Sequence, residues 1–255
     1  MSELYQFLIV CPLCLLAGFI DSIAGGGGLI SLPAYYLVNL PARLAAGTNK
    51  VSASIGTITS VIKYGRSGKI SWTPALTATA GSLAGAYFGA EALKAIDEQL
   101  ILKIMIVLLP IVCVVLLLRR GDFQRTKPVG SWKYPAYAAI GLVVGFYDGM
   151  IGPGTGTFLI LLFSGLTGMN PIMASGTAKV VNLASGLSSL VSFLLGGYVI
   201  WTLGLAAGLF SFAGNLLGSG LAIRKGAKVI QGTLVVVLAL ILITLIVRTF
   251  SATYE

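Results

Sequence analysis

Hydrophobic residues along this chain fall into ten runs, five in each half, separated by short glycine-rich or charged segments. The runs cover 4–20, 29–40, 44–62, 72–93 and 99–118 in the first half, and 135–148, 157–167, 173–195, 199–223 and 229–247 in the second. Runs three to five of each half hold 19 or more residues. At about 1.5 Å per residue that length crosses about 30 Å of hydrocarbon, so these runs predict membrane-spanning helices. The first two runs of each half are shorter, and a glycine-rich loop separates them. They predict half-helices meeting at membrane depth, because a stretch such as 135–148 reaches only about 21 Å.

The two halves repeat each other. Gly18-Phe19-Ile20-Asp21 leading into Gly25-Gly26-Gly27-Gly28 matches Gly145-Phe146-Tyr147-Asp148 leading into Gly152-Pro153-Gly154-Thr155-Gly156, at an offset of 127. Gly47-Thr48-Asn49-Lys50-Val51 matches Gly176-Thr177-Ala178-Lys179-Val180, and Gly68, Trp72 and Thr73 match Gly197, Trp201 and Thr202, at an offset of 129. A two-residue insertion in the connecting loop reconciles the offsets. The expected organisation is repeat 1 over 1–118, a basic connecting loop over 119–134 and repeat 2 over 135–255, all in one membrane domain.

Basic residues in loops indicate which side they face. If each short pair makes one net crossing, the repeats are parallel and the two sides hold nine and six Lys and Arg. If each pair returns to its own side as a re-entrant hairpin, the repeats are inverted. One side then holds Lys63, Arg66, Lys69, five residues from Arg119 to Lys133, Arg224, Lys225 and Lys228, against Arg43, Lys94, Lys103 and Arg248 on the other. Eleven against four favours the hairpins, with both termini outside and the connecting loop in the cytoplasm. The expected fold class is therefore all-α: a polytopic membrane protein of two tandem, inverted repeats with broken helices or hairpins at membrane depth.

Composition agrees with this pattern and narrows the chemistry. The 255 residues are 56% hydrophobic and 10% charged, with a mean hydropathy of +0.95, which is a bilayer composition. There is no histidine, which removes Ser-His-Asp and Cys-His nucleophile pairs, His-bearing zinc sites and His-ligated haem. The excess of 17 Lys and Arg over 8 Asp and Glu reads as membrane topology and not as nucleic-acid binding. Cys11, Cys14 and Cys113 lie in apolar runs without further ligands and read as packing residues, so no metal and no cofactor is expected. The N-terminus lacks a basic region before its apolar run, which predicts that it is not a cleaved signal peptide.

Four charges remain at membrane depth: Asp21, Lys50, Asp148 and Lys179. Each costs about 2.5–3.5 kcal/mol at a helix centre, so each invites a partner and a purpose. One reading makes them two ion pairs that lock each hairpin to its following helix. The other makes them a site. Broken backbone at membrane depth must be buried in protein or line a watery cavity, and the second half-helix of each pair points its positive end there. Lys50 heads a polar stripe with Ser54 and Thr57, and Lys179 heads one with Asn182, Gly186 and Ser189. The candidate substrate-binding residues are Lys50, Lys179, Gly25, Gly26, Gly27, Gly28, Gly152, Gly154, Thr155, Thr48, Asn49, Thr177 and Asn182, and the candidate proton-coupling residues are Asp21 and Asp148.

Other features are structural. Gly152 to Gly156 follows no strand and lacks Gly-Lys-Ser/Thr, so it is not a nucleotide loop. Gly81, Gly85 and Gly89, with Gly214 and Gly218, form small-residue faces for close helix packing. Trp72 and Trp201 suit an interfacial aromatic belt.

Taken in order and in duplicate, these motifs resemble the TauE/SafE family, the so-called sulfite exporter family of small membrane transporters. They are Gly-x-x-Asp with its Gly-rich loop (Gly18 to Gly28, Gly145 to Gly156), Gly-Thr-x-Lys (Gly47 to Lys50, Gly176 to Lys179) and the Gly-x-Ile/Val-x-Trp segment (Gly68 to Trp72, Gly197 to Trp201). The resemblance implies export or uptake of small anions, with sulfite, sulfoacetate and related organic anions as substrates of some members. Pro153 and Thr155 of the second loop stand where the first has Gly26 and Gly28, so the two halves need not bind alike. The expectation is a multi-pass inner-membrane secondary transporter, not an enzyme, working by alternating access on a small anion, with proton coupling as an option. The alternative is an anion-selective channel. Its partners would be the anion and the lipid bilayer, with a homodimer left open and no nucleic acid.

Overall fold

A computed structural model of the chain describes residues 3–97, 100, 133–226, 228–230 and 232–233. Its helices are α1 (Glu3–Ala24), α2 (Gly28–Leu37), α3 (Ala42–Arg66), α4 (Trp72–Ala95), α5 (Lys133–Met150), α6 (Thr155–Thr167), α7 (Pro171–Leu195) and α8 (Trp201–Lys225). No strand occurs among the described residues. The runs expected over 99–118 and 229–247, the connecting loop 119–134 and Cys113 lie mostly or wholly outside the described residues.

Helix limits follow local chemistry. Asn170 caps α7 by accepting the Met173 N–H at 3.0 Å, and Pro171 fills the first turn, where a missing N–H costs nothing. Gly68 and Gly197 turn the chain with positive φ just before α4 and α8. One expectation fails: α1 is not a half-helix. It runs 22 residues, about 33 Å, beyond the end of its apolar run, because Asp21 finds a cationic partner and so does not break the helix. The second members stay short, with 10 residues in α2 and 13 in α6.

Each short helix folds back along its predecessor. Tyr35 of α2 lies beside Cys14 of α1, with Oη 4.0 Å from Sγ, and Val38 joins the cluster containing Val10. In the second half the Tyr147 and Phe158 rings are 5.1 Å apart, and those of Tyr137 and Phe163 are 6.1 Å apart. Both pairs are helical hairpins.

Small residues set the helix contacts. Gly214 and Gly218 of α8 lie against Leu15 and Phe19 of α1, four residues on in both helices, so α1 and α8 run the same way. Gly81, Gly85 and Gly89 of α4 lie against Ala138, Leu142 and Phe146 of α5, and these two are also parallel. A Cβ at Gly85 would stand 2.2 Å from the Leu142 carbonyl oxygen, so only glycine permits this approach. Gly204 and Gly208 of α8 meet Val51 and Ile55 of α3, again in parallel. By contrast α3 and α7 are antiparallel: Tyr64 bonds Ser175 at one end, while Gly47 faces Phe193 at the other.

Among the described residues three helices, α1, α7 and α8, are long and apolar enough to cross a membrane by length and composition. The expected spanning helices α3 and α4 match them in length, with 25 and 24 residues, but are less apolar. The reason in α3 is its hydroxyl-rich sequence: Thr48, Ser52, Ser54, Thr57, Thr59 and Ser60 are all buried against protein. Trp72 and Trp201 are about half exposed on the outer surface, as belt residues would be.

Candidate binding site

The four charges at depth form two ion pairs, and both pairs cross between the halves. Lys50 of α3 stands 2.8 Å from Asp148 Oδ2 of α5 and donates to the Asp148 carbonyl oxygen at 2.8 Å. Lys179 of α7 stands 2.7 Å from Asp21 Oδ2 of α1 and also donates to the Asp21 carbonyl oxygen. The expected lock within each half therefore does not form. Each middle helix instead holds the hairpin of the other half, which repeat-equivalent positions alone could not reveal.

The second oxygen of each carboxylate is held by its own loop. Asp21 Oδ1 accepts the Gly27 N–H at 3.3 Å, and Asp148 Oδ1 accepts the Thr155 hydroxyl at 2.8 Å. The Lys50 ammonium meets Asp148 Oδ2 off the hydrogen-bonding angle, as an ion pair and not as a directed bond. The two hairpin tips then meet: Thr157 donates its hydroxyl to the Ala24 carbonyl at 2.7 Å and its N–H to the Gly25 carbonyl at 3.3 Å.

A cavity of about 60 Å³ opens between the two tips, α3, α7 and α8. Of the predicted site residues, Asp21, Gly25, Gly27, Gly28, Asn49, Lys50, Asp148, Gly152, Thr155 and Asn182 line it. Gly26, Thr48, Gly154, Thr177 and Lys179 do not. Thr48 and Thr177 serve the framework, because their hydroxyls accept the Ile200 and Ser71 N–H groups, each at 3.0 Å, beside the starts of α8 and α4. Lys179 is fully buried behind Asp21.

The two ion pairs are thus unequal. Lys50 keeps a side-chain exposure of 9% and faces the cavity, whereas Lys179 has 0%. Beside Lys50 two buried groups, Asn49 Oδ1 and Ser54 Oγ, lack a hydrogen-bond partner among the described residues. Buried polar atoms normally have partners, so these two mark a place where a small polar species or water belongs.

The sequence reading missed Ser31, Ser52, Ser211 and Asn215, which also line the cavity. Asn215 accepts the Ser60 hydroxyl at 2.7 Å and donates to the Ser211 carbonyl at 3.0 Å. The available signal was the spacing Ser211, Asn215, Ser219 on one face of an apolar helix. Among the described residues no group of three or more Cys, Asp and Glu could hold a metal ion.

Residues 10–245 match the model of the sulfite exporter TauE/SafE family. The chain belongs to the TauE/SafE family. Among its relatives, it is 35% identical to the probable membrane transporter protein ORF9 of Sinorhizobium sp., over 92% of this chain and 89% of that protein. It is 34% identical to the probable membrane transporter protein YfcA of Escherichia coli K12, over 94% and 92%. A probable membrane transporter protein of Haemophilus influenzae is 33% identical over 86% of each chain. No solved structure matches this TauE/SafE chain.

Proposed function

We propose that this TauE/SafE chain is a multi-pass secondary transporter of the inner membrane, moving a small anion by alternating access between two inverted repeats. The observation that carries the reading is the cavity at the meeting point of the hairpin tips, with Lys50, Asn49 and Asn182 on its wall. A membrane protein places a lysine beside a cavity at a cost of about 2.5–3.5 kcal/mol, and an anionic passenger gives that cost a use. Asn49, Asn182, Thr155 and the glycines of both loops supply uncharged donors and close backbone approach. The family's description as sulfite exporters supports a sulfur-containing anion, such as sulfite, sulfoacetate or a related organosulfonate.

Support for inverted repeats comes from helix direction. α1, α3 and α8 run one way and α4, α5 and α7 the other, so the matched helices α1 and α5, α3 and α7, and α4 and α8 oppose each other. Hairpins that fold back on themselves suit the same reading, with each tip entering from its own side.

The test is binding and counterflow. A panel of sulfite, sulfate, methanesulfonate and acetate should raise the melting temperature of purified protein, and Lys50→Met should abolish the shift while the protein stays folded. In proteoliposomes a carrier shows stimulation by unlabelled anion on the far side, and an anion-selective channel shows none. Absence of any anion-dependent shift or flux overturns the transport reading.

A further inference from the structure

The inequality of the two ion pairs bears on coupling. Lys179 holds Asp21 from behind: the ammonium is fully buried, lies outside the cavity wall and contacts two oxygens of one aspartate, whose side chain is 15% exposed on the wall. Lys50 and Asp148 form the same pair on the wall itself, and the ammonium meets Oδ2 without a directed bond. Asp148 also has a ready second partner, the Thr155 hydroxyl at 2.8 Å, which donates to the carboxylate and can equally accept a hydrogen bond from a neutral carboxyl. Within the same wall, Asn49 Oδ1 and Ser54 Oγ have no partner among the described residues, although both residues are more than nine-tenths buried.

We propose that Lys50–Asp148 is an exchangeable pair and Lys179–Asp21 a fixed one. The substrate anion replaces the Asp148 carboxylate on Lys50, and Asp148 takes up one proton from water in the cavity. This rests on the anion-transport reading and names how its site is coupled.

Charge balance dictates the exchange. An ionised Asp148 beside a bound anion would leave two negative charges on one ammonium. At about 4 Å in an effective dielectric of about 20, their repulsion weakens binding on the order of a thousandfold. With one proton added, the carboxylate becomes a neutral acid, Lys50 keeps its three protons, and the site holds one cation and one anion. A monoanion and a proton therefore load together with no change in net charge. The other charged or titratable groups on the cavity wall or next to Asp148 are Asp21 of α1 with Lys179 of α7 behind it, Cys14 of α1, against which Tyr35 of α2 rests, and Tyr147 of α5 itself. Asp21 adds its carboxylate to the same wall but is already neutralised by Lys179.

Calorimetric titration tests this. The probe is whichever of the monoanions methanesulfonate and acetate stabilises the purified wild-type protein, in two buffers of different ionisation enthalpy. The expected result is uptake of one proton per anion and affinity that rises about tenfold for each unit fall in pH above the carboxyl's pKa. Asp148→Asn should bind the anion without proton uptake and without pH dependence. Infrared difference spectra of the wild type should also gain a neutral-carboxyl band on anion binding, so a poorly folding variant does not decide the matter. Binding with no proton taken up, or an Asp148→Asn variant that keeps the pH dependence, overturns the exchange and leaves transport standing. If none of the probes binds, the transport reading and the exchange fall together.

Discussion

Gly25, at the tip of the first hairpin, and Gly156, in the first turn of α6, stand backbone against backbone. A Cβ on Gly25 would fall 2.1 Å from the Gly156 carbonyl carbon. Gly28 approaches Pro153 nearby, where a Cβ would stand 3.0 Å from its Cα. The loops that follow the two aspartates are thus one joint, and each ion pair ties that joint to a helix of the opposite half. Movement of either hairpin must disturb the other.

This joint depends on the absence of a side chain. Gly25 has φ +78°, a left-handed conformation that costs other residues about 1–2 kcal/mol, and overpacking adds about 1–3 kcal/mol. Gly25→Ala should therefore lower stability by about 2–5 kcal/mol. Gly165→Ala in α6, where the added methyl meets nothing within 4 Å, should be neutral or stabilise by up to about 1 kcal/mol. Melting temperatures of the two variants in the same detergent check the contrast, and equal losses would mean that the tips do not touch.

The crossed pairing makes a rescue experiment specific. Lys179→Met strands the Asp21 carboxylate in a largely buried place, which costs about 3–5 kcal/mol. Adding Asp21→Asn removes the stranded charge and should restore most of that loss. Adding Asp148→Asn to Lys179→Met should restore nothing, and should worsen it by stranding Lys50. Pairing within each half demands the reverse, so the double variants' melting temperatures decide between them.

The crossing was invisible in the sequence for a physical reason. Repeat matching finds equivalent residues, and Lys50 is equivalent to Lys179 whichever aspartate it meets. The choice of partner is made by packing between halves, through glycine contacts such as Gly85 with Leu142 and Gly214 with Leu15. Helix periodicity and the glycine faces were legible because they are local. The length of α1 was not, since a charge at Asp21 ends an apolar run in the sequence but not a helix whose charge is paired. Asn215 escaped because a single amide in an apolar helix reads as noise until its neighbours, Ser60 and the cavity, are known.

Asn215 offers its own test. It is buried and lines the cavity, and Gly18 and Gly56 make room for it, with added Cβ atoms falling 2.8 and 2.4 Å from its Nδ2. Asn215→Leu removes the acceptor for Ser60 and places methyl groups on the cavity wall. An unpaired buried hydroxyl costs about 1–3 kcal/mol, so folding should weaken moderately. Transport should fall at least about tenfold at matched amounts of folded protein, the equivalent of about 1.4 kcal/mol. Normal flux in Asn215→Leu would assign this residue to packing alone.

Topology can be decided with two matched glycines. Gly68 and Gly197 occupy equivalent turns before α4 and α8, and a Cβ at either meets nothing within 4 Å, so a cysteine finds room at both and costs only about 1–2 kcal/mol for the positive φ. Gly68 sits among Lys63, Arg66 and Lys69, the basic side, which the positive-inside rule assigns to the cytoplasm. Gly197 lies at the opposite end of the antiparallel α3 and α7 pair, near Lys94. Inverted repeats put these equivalent turns on opposite faces of the membrane, whereas parallel repeats put them on the same face. In a background with Cys11, Cys14 and Cys113 replaced by serine, a membrane-impermeant maleimide should label Gly197→Cys in intact cells. Gly68→Cys should react only after the membrane is opened. Labelling of both from the same side would eliminate the inverted arrangement, and with it alternating access by exchange between opposed halves.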